Sequence, residues 1–252
     1  MDRWLELDGA VNVRDLGGLP TEDGQTTAPG VVLRSDNLQG LSDKDVRRLV
    51  EDLGLRTVVD LRTPAEVAGE GPGPLVAAGV RHVNLDLIPG WDPQGDNRDR
   101  IVPHEKREKN DLSHFYLGYL DEAADAVVQA LSLLADDATG TAVVHCAAGK
   151  DRTGTVVGLA LKVVDVPDEL VIADCAASAQ RVAAIMDRLR TRPAYARNLQ
   201  DKTVAQQSPT TDTMRLLLAA LDERHGGVHG WLRAQGWTAA DTDRMRHKLL
   251  AD

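Results

Sequence analysis

Thr141-Ala-Val-Val-His-Cys-Ala-Ala-Gly-Lys-Asp-Arg-Thr-Gly154 decides the architecture of this chain. Residues 141–145 read as a short buried strand, and residues 153–164, with Val156, Val157, Leu159, Leu161, Val163 and Val164, as a mostly apolar helix. The small-residue loop between them sends several backbone N–H groups toward one point. A helix N-terminus there also favours negative charge. Cys146 lies at the centre of this loop and Arg152 on its rim, so the arrangement suits a phosphate-like dianion facing a thiol.

Each residue type has a physical task. Only a thiolate attacks phosphorus, and helix N-termini and nearby cations favour the thiolate over the thiol. Arg152 offers a planar fork of donors for two phosphoryl oxygens. Ala147, Ala148, Gly149 and Lys150 supply loop amides, and Gly149 lets the backbone turn without a Cβ in the way of the anion. Thr153 is either a hydroxyl donor to the sulfur or a helix-start residue, and His145 either fixes the loop or shuttles a proton. The implied chemistry is phosphate ester hydrolysis through a phosphocysteine.

The loop resembles the signature of the cysteine-dependent tyrosine and dual-specificity phosphatases. Its Gly149-Lys-Asp-Arg-Thr153 variant is similar to that of a bacterial subgroup with a mycobacterial member. Asn12-Val-Arg-Asp-Leu-Gly-Gly18, Gly30-Val-Val-Leu-Arg-Ser35, Val58-Val-Asp-Leu-Arg62 with Glu66, Val171-Ile-Ala-Asp174 and Gly230-Trp-Leu-Arg233 follow the same pattern in order. The resemblance is weakest over residues 90–111. Cys175 departs from it, standing where the subgroup usually has an aromatic. The resemblance implies a phosphatase-II-like α/β fold and a phosphorylated protein or phosphoinositide as substrate, with no metal or other cofactor. It also implies C-terminal helices, within residues 166–211, that cover the active site as a lid.

The proton donor is open among four aspartates. Asp151 lies in the loop beside Arg152 and is favoured. Asp60 ends a strand expected at the same sheet edge, Asp92 falls in a long polar segment, and Asp111 precedes Cys146 by 35 residues. Lys150 either adds charge beside a bound phosphate or is a surface lysine. Arg34 and Arg62 either extend a basic rim or pair with carboxylates. Cys175 is a packing residue or a redox partner of Cys146.

The 252 residues suit one domain over 1–252, with 42% hydrophobic and 27% charged residues. A net charge of −10 argues against a broad nucleic-acid or anionic-membrane surface. Two cysteines fit a reducing compartment. The first residues carry no leader pattern and no run of roughly 18 apolar residues occurs, so the expectation is a cytoplasmic protein, or one exported without a leader, with no stable membrane insertion. Oligomeric state is not legible.

Strands alternate with helices: strands near 11–13, 30–33, 56–61, 80–87 and 141–145, and a helix opened by the capping box Ser42-x-x-Asp45. Further helices are expected over 111–134 and 167–190, with a polar loop over 191–211 and three short helices to finish. This predicts a largely parallel sheet flanked by helices, with its ligand site at the strand C-terminal ends. Two rivals remain. Residues 58–66 resemble the early strand of rhodanese-like sulfurtransferases, but that family places its arginine closer to the cysteine and a Gly-His motif is missing. The other rival is a phosphate-binding module without catalysis.

Overall fold

The computed structural model describes residues 3–90 and 113–251. Five strands form one sheet: β1 (Arg14–Asp15), β2 (Val32–Ser35), β3 (Leu55–Asp60), β4 (Arg81–Asn84) and β5 (Thr141–His145). Their spatial order is β1-β2-β5-β3-β4. All neighbours are parallel except β1 and β2. The signature strand β5 is therefore central, buried on both faces, and its unbroken apolar run follows from that.

Side chains alternate across the sheet. Val32, Val59, Ala142 and Val144 enter one core, while Leu33, Val58 and Val143 enter the other. Opposite residues such as Leu33 and Val143 pair across strands, which locks the register, because a one-residue slip would turn every side chain to the wrong face. Asp60 on β3 and Ser35 on β2 both stand opposite His145. Three strands thus end together at the edge where the loop after β5 begins.

The smaller core is covered by α1 (Asp43–Arg47), which continues as a wider turn over Arg48–Asp52. Ser42 and Asp45 close the expected capping box. The short α2 (Pro64–Glu70) starts with a second box, Thr63 with Glu66. The larger core is covered by α3 (Ser113–Glu122), α4 (Ala124–Ala135), α5 (Asp151–Val163), α6 (Asp168–Ala177), α10 (Thr211–His225), α11 (Val228–Ala234) and α12 (Ala239–Leu249). Between them in sequence lie α7 (Val182–Arg190), α8 (Pro193–Leu199) and α9 (Val204–Gln207).

Four expectations about elements need correction. The ladder with β2 uses Arg14 and Asp15 rather than residues 11–13, because Val13 accepts instead from Leu5 N. The helix expected over 111–134 is broken at Ala123, which leaves the helical region at φ −132°. The helix expected over 167–190 tightens into a 3-10 turn at Ser178–Arg181, where Ser178 Oγ accepts from Arg14 and Asn12. The polar stretch 191–211 is not a plain loop. Pro193 starts α8 and the box of Thr203 with Gln206 starts α9, two signals that outweigh polar composition over so short a span.

Candidate active site

The loop after β5 runs from Cys146 to Lys150, and α5 begins at Asp151. Its shape is held from outside through its carbonyl oxygens. His145 Nδ1–H donates to Cys146 O (3.1 Å) and Asn37 N–H to Ala147 O (3.0 Å). Asn12 Nδ2 donates to Ala148 O (3.0 Å), and Arg34 Nη2 to Gly149 O (2.7 Å). Tyr116 Oη donates to Lys150 O at 3.1 Å. With the carbonyls tied outward, the alternate faces of the peptide planes are free to turn their N–H groups inward. Gly149 N–H lies 3.3 Å from Cys146 Sγ. Gly149 has φ +66°, and a Cβ there would sit 2.3 Å from Ser35 O, so both the backbone angle and the contact require glycine.

The donors are themselves anchored by one carboxylate. Asp174, on α6, meets Arg34 Nη1 at 2.5 Å, Arg3 Nη2 at 2.8 Å and Arg14 Nε at 3.3 Å. Arg14 also donates to Asn12 Oδ1 at 2.6 Å, which orients the Asn12 amide toward the loop. Burial alone would raise the Asp174 carboxyl, but Arg14, Arg34 and Arg3 overcome it and hold the group far below the usual carboxylate range. Burial and the nearby Arg34 lower Arg14 to about 10.

Arg152 is held from α2. Its Nη1 donates to Glu66 Oε2 (2.6 Å) and Leu61 O (3.2 Å), and its Nη2 to Glu66 Oε1 (3.0 Å). Those bonds use both Nη1 hydrogens and one on Nη2. Nε–H and the second Nη2–H remain along one edge, a spacing that matches two phosphoryl oxygens. Burial disfavours charge on Glu66, yet the Arg152 guanidinium and the Thr63 amide hold its carboxyl below the ordinary value.

A cavity of about 180 Å³ opens above the loop. Cys146, Lys150, Asp151 and Arg152 line its lower part. Leu189 from α7, Tyr195 and Leu199 from α8, and Gln207 from α9 line its upper part. Cys146 is 2% exposed, so access to its sulfur is through this cavity.

The structure brings Cys146, Ala147, Ala148, Lys150, Asp151 and Arg152 to one cavity and threads Gly149 beneath it. Asp151 is partly exposed there, 2.9 Å from Lys150 Nζ and 3.5 Å from Tyr116 Oη. His145 is fully buried and fixes the loop through Cys146 O; its Nε2 is 3.5 Å from Asp60 Oδ1. Thr153 lies inside the first turn of α5 rather than at its cap. Its Oγ1 is buried with no hydrogen-bond partner among the described residues.

Asp60 ends its strand at the expected edge, but it does not line the cavity, where one of the four candidate proton donors would have to stand. Its carboxylate is fully buried, bonded to Arg62 Nη2 (2.6 Å) and His82 Nε2 (2.9 Å). Burial raises it, but His145, His82 and Arg62 together hold it well below the carboxylate range, which suits an anchor and not a donor of protons. Arg34 and Arg62 both pair with carboxylates. Cys146 and Cys175 are free thiols, and Cys175 packs beside Tyr116 Oη at 3.6 Å. Asp92 and Asp111 lie outside the described residues.

The sequence reading missed the roles of Glu66, Asn12, Asp174 and Tyr116, whose partners lie far away in sequence. It also missed Asp86, just beyond β4, whose carboxyl is raised by burial while Arg152 opposes the shift. Its place at the end of a strand on the loop edge was the available signal.

The sequence matches the model of the tyrosine phosphatase family over residues 5–251. The chain belongs to the tyrosine phosphatase family. It is 31% identical over 287 aligned positions to the triple specificity protein phosphatase PtpB of Mycobacterium tuberculosis, covering 97% of this chain and 98% of that protein. A tyrosine-protein phosphatase of Nostoc commune is 25% identical over 86% of this chain and 73% of its own length. Among solved structures, the core catalytic domain of the S. cerevisiae PP-IP phosphatase Siw14 aligns with a TM-score of 0.34 at 17% identity, covering 85% of this chain and 96% of that one. The protein is thus a phosphatase of the cysteine-based class. Among the described residues, no helix is long and apolar enough to cross a membrane.

Proposed function

We propose that the enzyme hydrolyses phosphomonoesters on tyrosine residues of proteins, and extends to phosphoserine, phosphothreonine and phosphoinositides, with Cys146 as nucleophile. The observation that carries this reading is the loop itself: its carbonyls are bonded outward while Arg152 keeps one unspent donor edge beside the cavity that holds Cys146. That is a preorganised anion site around a sulfur.

In the first step Cys146 Sγ forms a bond to phosphorus as the ester P–O bond breaks. Asp151 gives its proton to the leaving oxygen. In the second step water attacks the phosphocysteine, Asp151 takes a proton from it, and Cys146 leaves as thiolate with inorganic phosphate as product. Arg152 and the loop amides hold the phosphoryl oxygens throughout. A bound phosphoryl group competes with Asp151 for the Lys150 ammonium, now 2.9 Å away, and a substrate entering as the monoanion passes its proton to the carboxylate so released, which then gives it to the leaving oxygen. The triple specificity in the name of the mycobacterial relative supports the wider substrate range, and Lys150 supplies added positive charge for it. A cytoplasmic site of action fits the two free thiols.

The test is kcat/KM for a phosphotyrosine peptide, a phosphoserine peptide and a monophosphoinositide, with Cys146→Ser as the blank. Turnover of the tyrosine peptide that vanishes in Cys146→Ser is expected; undiminished turnover in that variant would sink the reading. Asp151→Asn should lower kcat about 10²–10⁴-fold for alkyl phosphates and much less for p-nitrophenyl phosphate, whose leaving group needs little protonation.

A further inference from the structure

The charged groups at the floor of the cavity have partners: Arg152 has Glu66, and Lys150 has Asp151, while Tyr116 Oη has Lys150 O. Tyr195 is different. It is carried by α8, is 6% exposed, and borders the cavity with Cys146 and Arg152. Its hydroxyl is buried with no hydrogen-bond partner among the described residues. Glu66, Arg62 and Arg152 all act on that hydroxyl electrostatically, which puts it on the Arg152 side of the cavity. Arg62 comes close enough to act on the phenol oxygen, but its buried Nη1 makes no hydrogen bond of sound geometry with it or with any other described residue, and the phenol O–H itself stays undonated. A phenol O–H removed from water and left unmatched carries its full desolvation cost, and native structures keep few such groups without a reason.

We propose that Tyr195 is a substrate ligand whose O–H donates to a phosphoryl oxygen seated over Cys146, so that α8 completes the anion site. The inference rests on the phosphatase reading and adds a donor that the signature loop does not contain. Burial, with Glu66 nearby, holds the phenol above its ordinary value, so it stays an O–H donor at neutral pH. The loop supplies donors from below and α8 supplies one from above. Closing the cover and binding the phosphoryl group become one event, because the hydroxyl gains its partner only when both have happened.

The experiment uses the whole protein, with tungstate as a non-covalent phosphate mimic inhibiting hydrolysis of p-nitrophenyl phosphate. Wild type that neither turns over that ester nor is inhibited by tungstate contradicts the phosphatase reading itself. Given an active, inhibited wild type, Tyr195→Phe is expected to raise the tungstate Ki roughly tenfold or more. Its Tm should be unchanged or higher, since only an unmatched hydroxyl is removed. A Ki within twofold of wild type overturns the proposal. A lowered Tm overturns it too, because it would show that the phenol oxygen accepts a structural hydrogen bond, with Arg62 as the donor.

Discussion

The floor and the cover of the candidate active-site cavity are built on different terms. Below the loop, Arg3, Arg14 and Arg34 converge on Asp174, Asn12 reaches two loop carbonyls, and all but Arg3 are buried to 2% exposure or less. Above it, α8 is tied by Ala194 N–H to Glu70 Oε1 (3.1 Å) and by Arg192 to Glu70 Oε2 (3.6 Å), while α7 is tied by Arg188 to Gly9 O and Asp36. The floor is a buried network in which three guanidinium groups share one carboxylate, so removing that carboxylate strands their charges. The cover hangs on partly exposed pairs of the kind worth little individually. Buried charge pairs thus hold the loop, whereas partly exposed ones hold α7 and α8.

The largest test of that contrast is Asp174→Asn. It leaves Arg14, Arg34 and Arg3 without their shared carboxylate, so stability should fall by roughly 3–5 kcal/mol, read from the urea midpoint. Little change would mean that the floor is not an electrostatic unit.

Glu66→Gln comes next. It keeps the shape of the α2 contact but removes the charge that fixes Arg152, with an expected stability loss of roughly 2–3 kcal/mol. Catalysis should suffer more than folding: kcat/KM should drop with the phosphate-mimic affinity, because the unspent edge of Arg152 is no longer aimed. If inhibition by tungstate were unaffected, Glu66 would be a structural partner alone.

Acid should also separate the two regions. Asp174, Asp60 and Glu66 have folded-state values below their unfolded ones, so their stabilisation is present above roughly pH 4 and is lost as pH falls through the folded values. Asp36 and Asp86 work the other way: burial raises both, and they cost stability once ionised. The three depressed groups outnumber these two, so the urea midpoint should fall below about pH 4, and Asp174→Asn should flatten that fall. The smallest effect is expected for Glu70→Gln, which loosens α8. Global stability should change by less than about 1 kcal/mol, while limited proteolysis within residues 190–205 should speed up.

What was legible in the sequence follows the same division. The β5 strand, its loop and the start of the following helix are contiguous, so their geometry could be read from Cys146, Gly149 and Arg152 and from the flanking periodicity. Capping at Ser42 and Asp45 is equally local and was equally readable. The floor was not, because Arg14, Arg34 and Asp174 are joined by contacts across 140 and 160 residues that no spacing reveals. Asp60 misled for a related reason: strand position gives the edge correctly, but only the fold shows that Arg62 and His82 claim the carboxylate. The cover hid in a polar composition that outweighed its two short helix signals at Pro193 and Thr203.

The central claim is a phosphoryl group carried on Cys146, and the most direct measurement is rapid acid quench of wild type with a phosphotyrosine peptide, followed by mass spectrometry of the digested protein. The account predicts a transient phosphoryl adduct on the peptide containing Cys146, absent from Cys146→Ser, which should neither form it nor turn over. Full turnover with the adduct missing, or present on another residue, would contradict it.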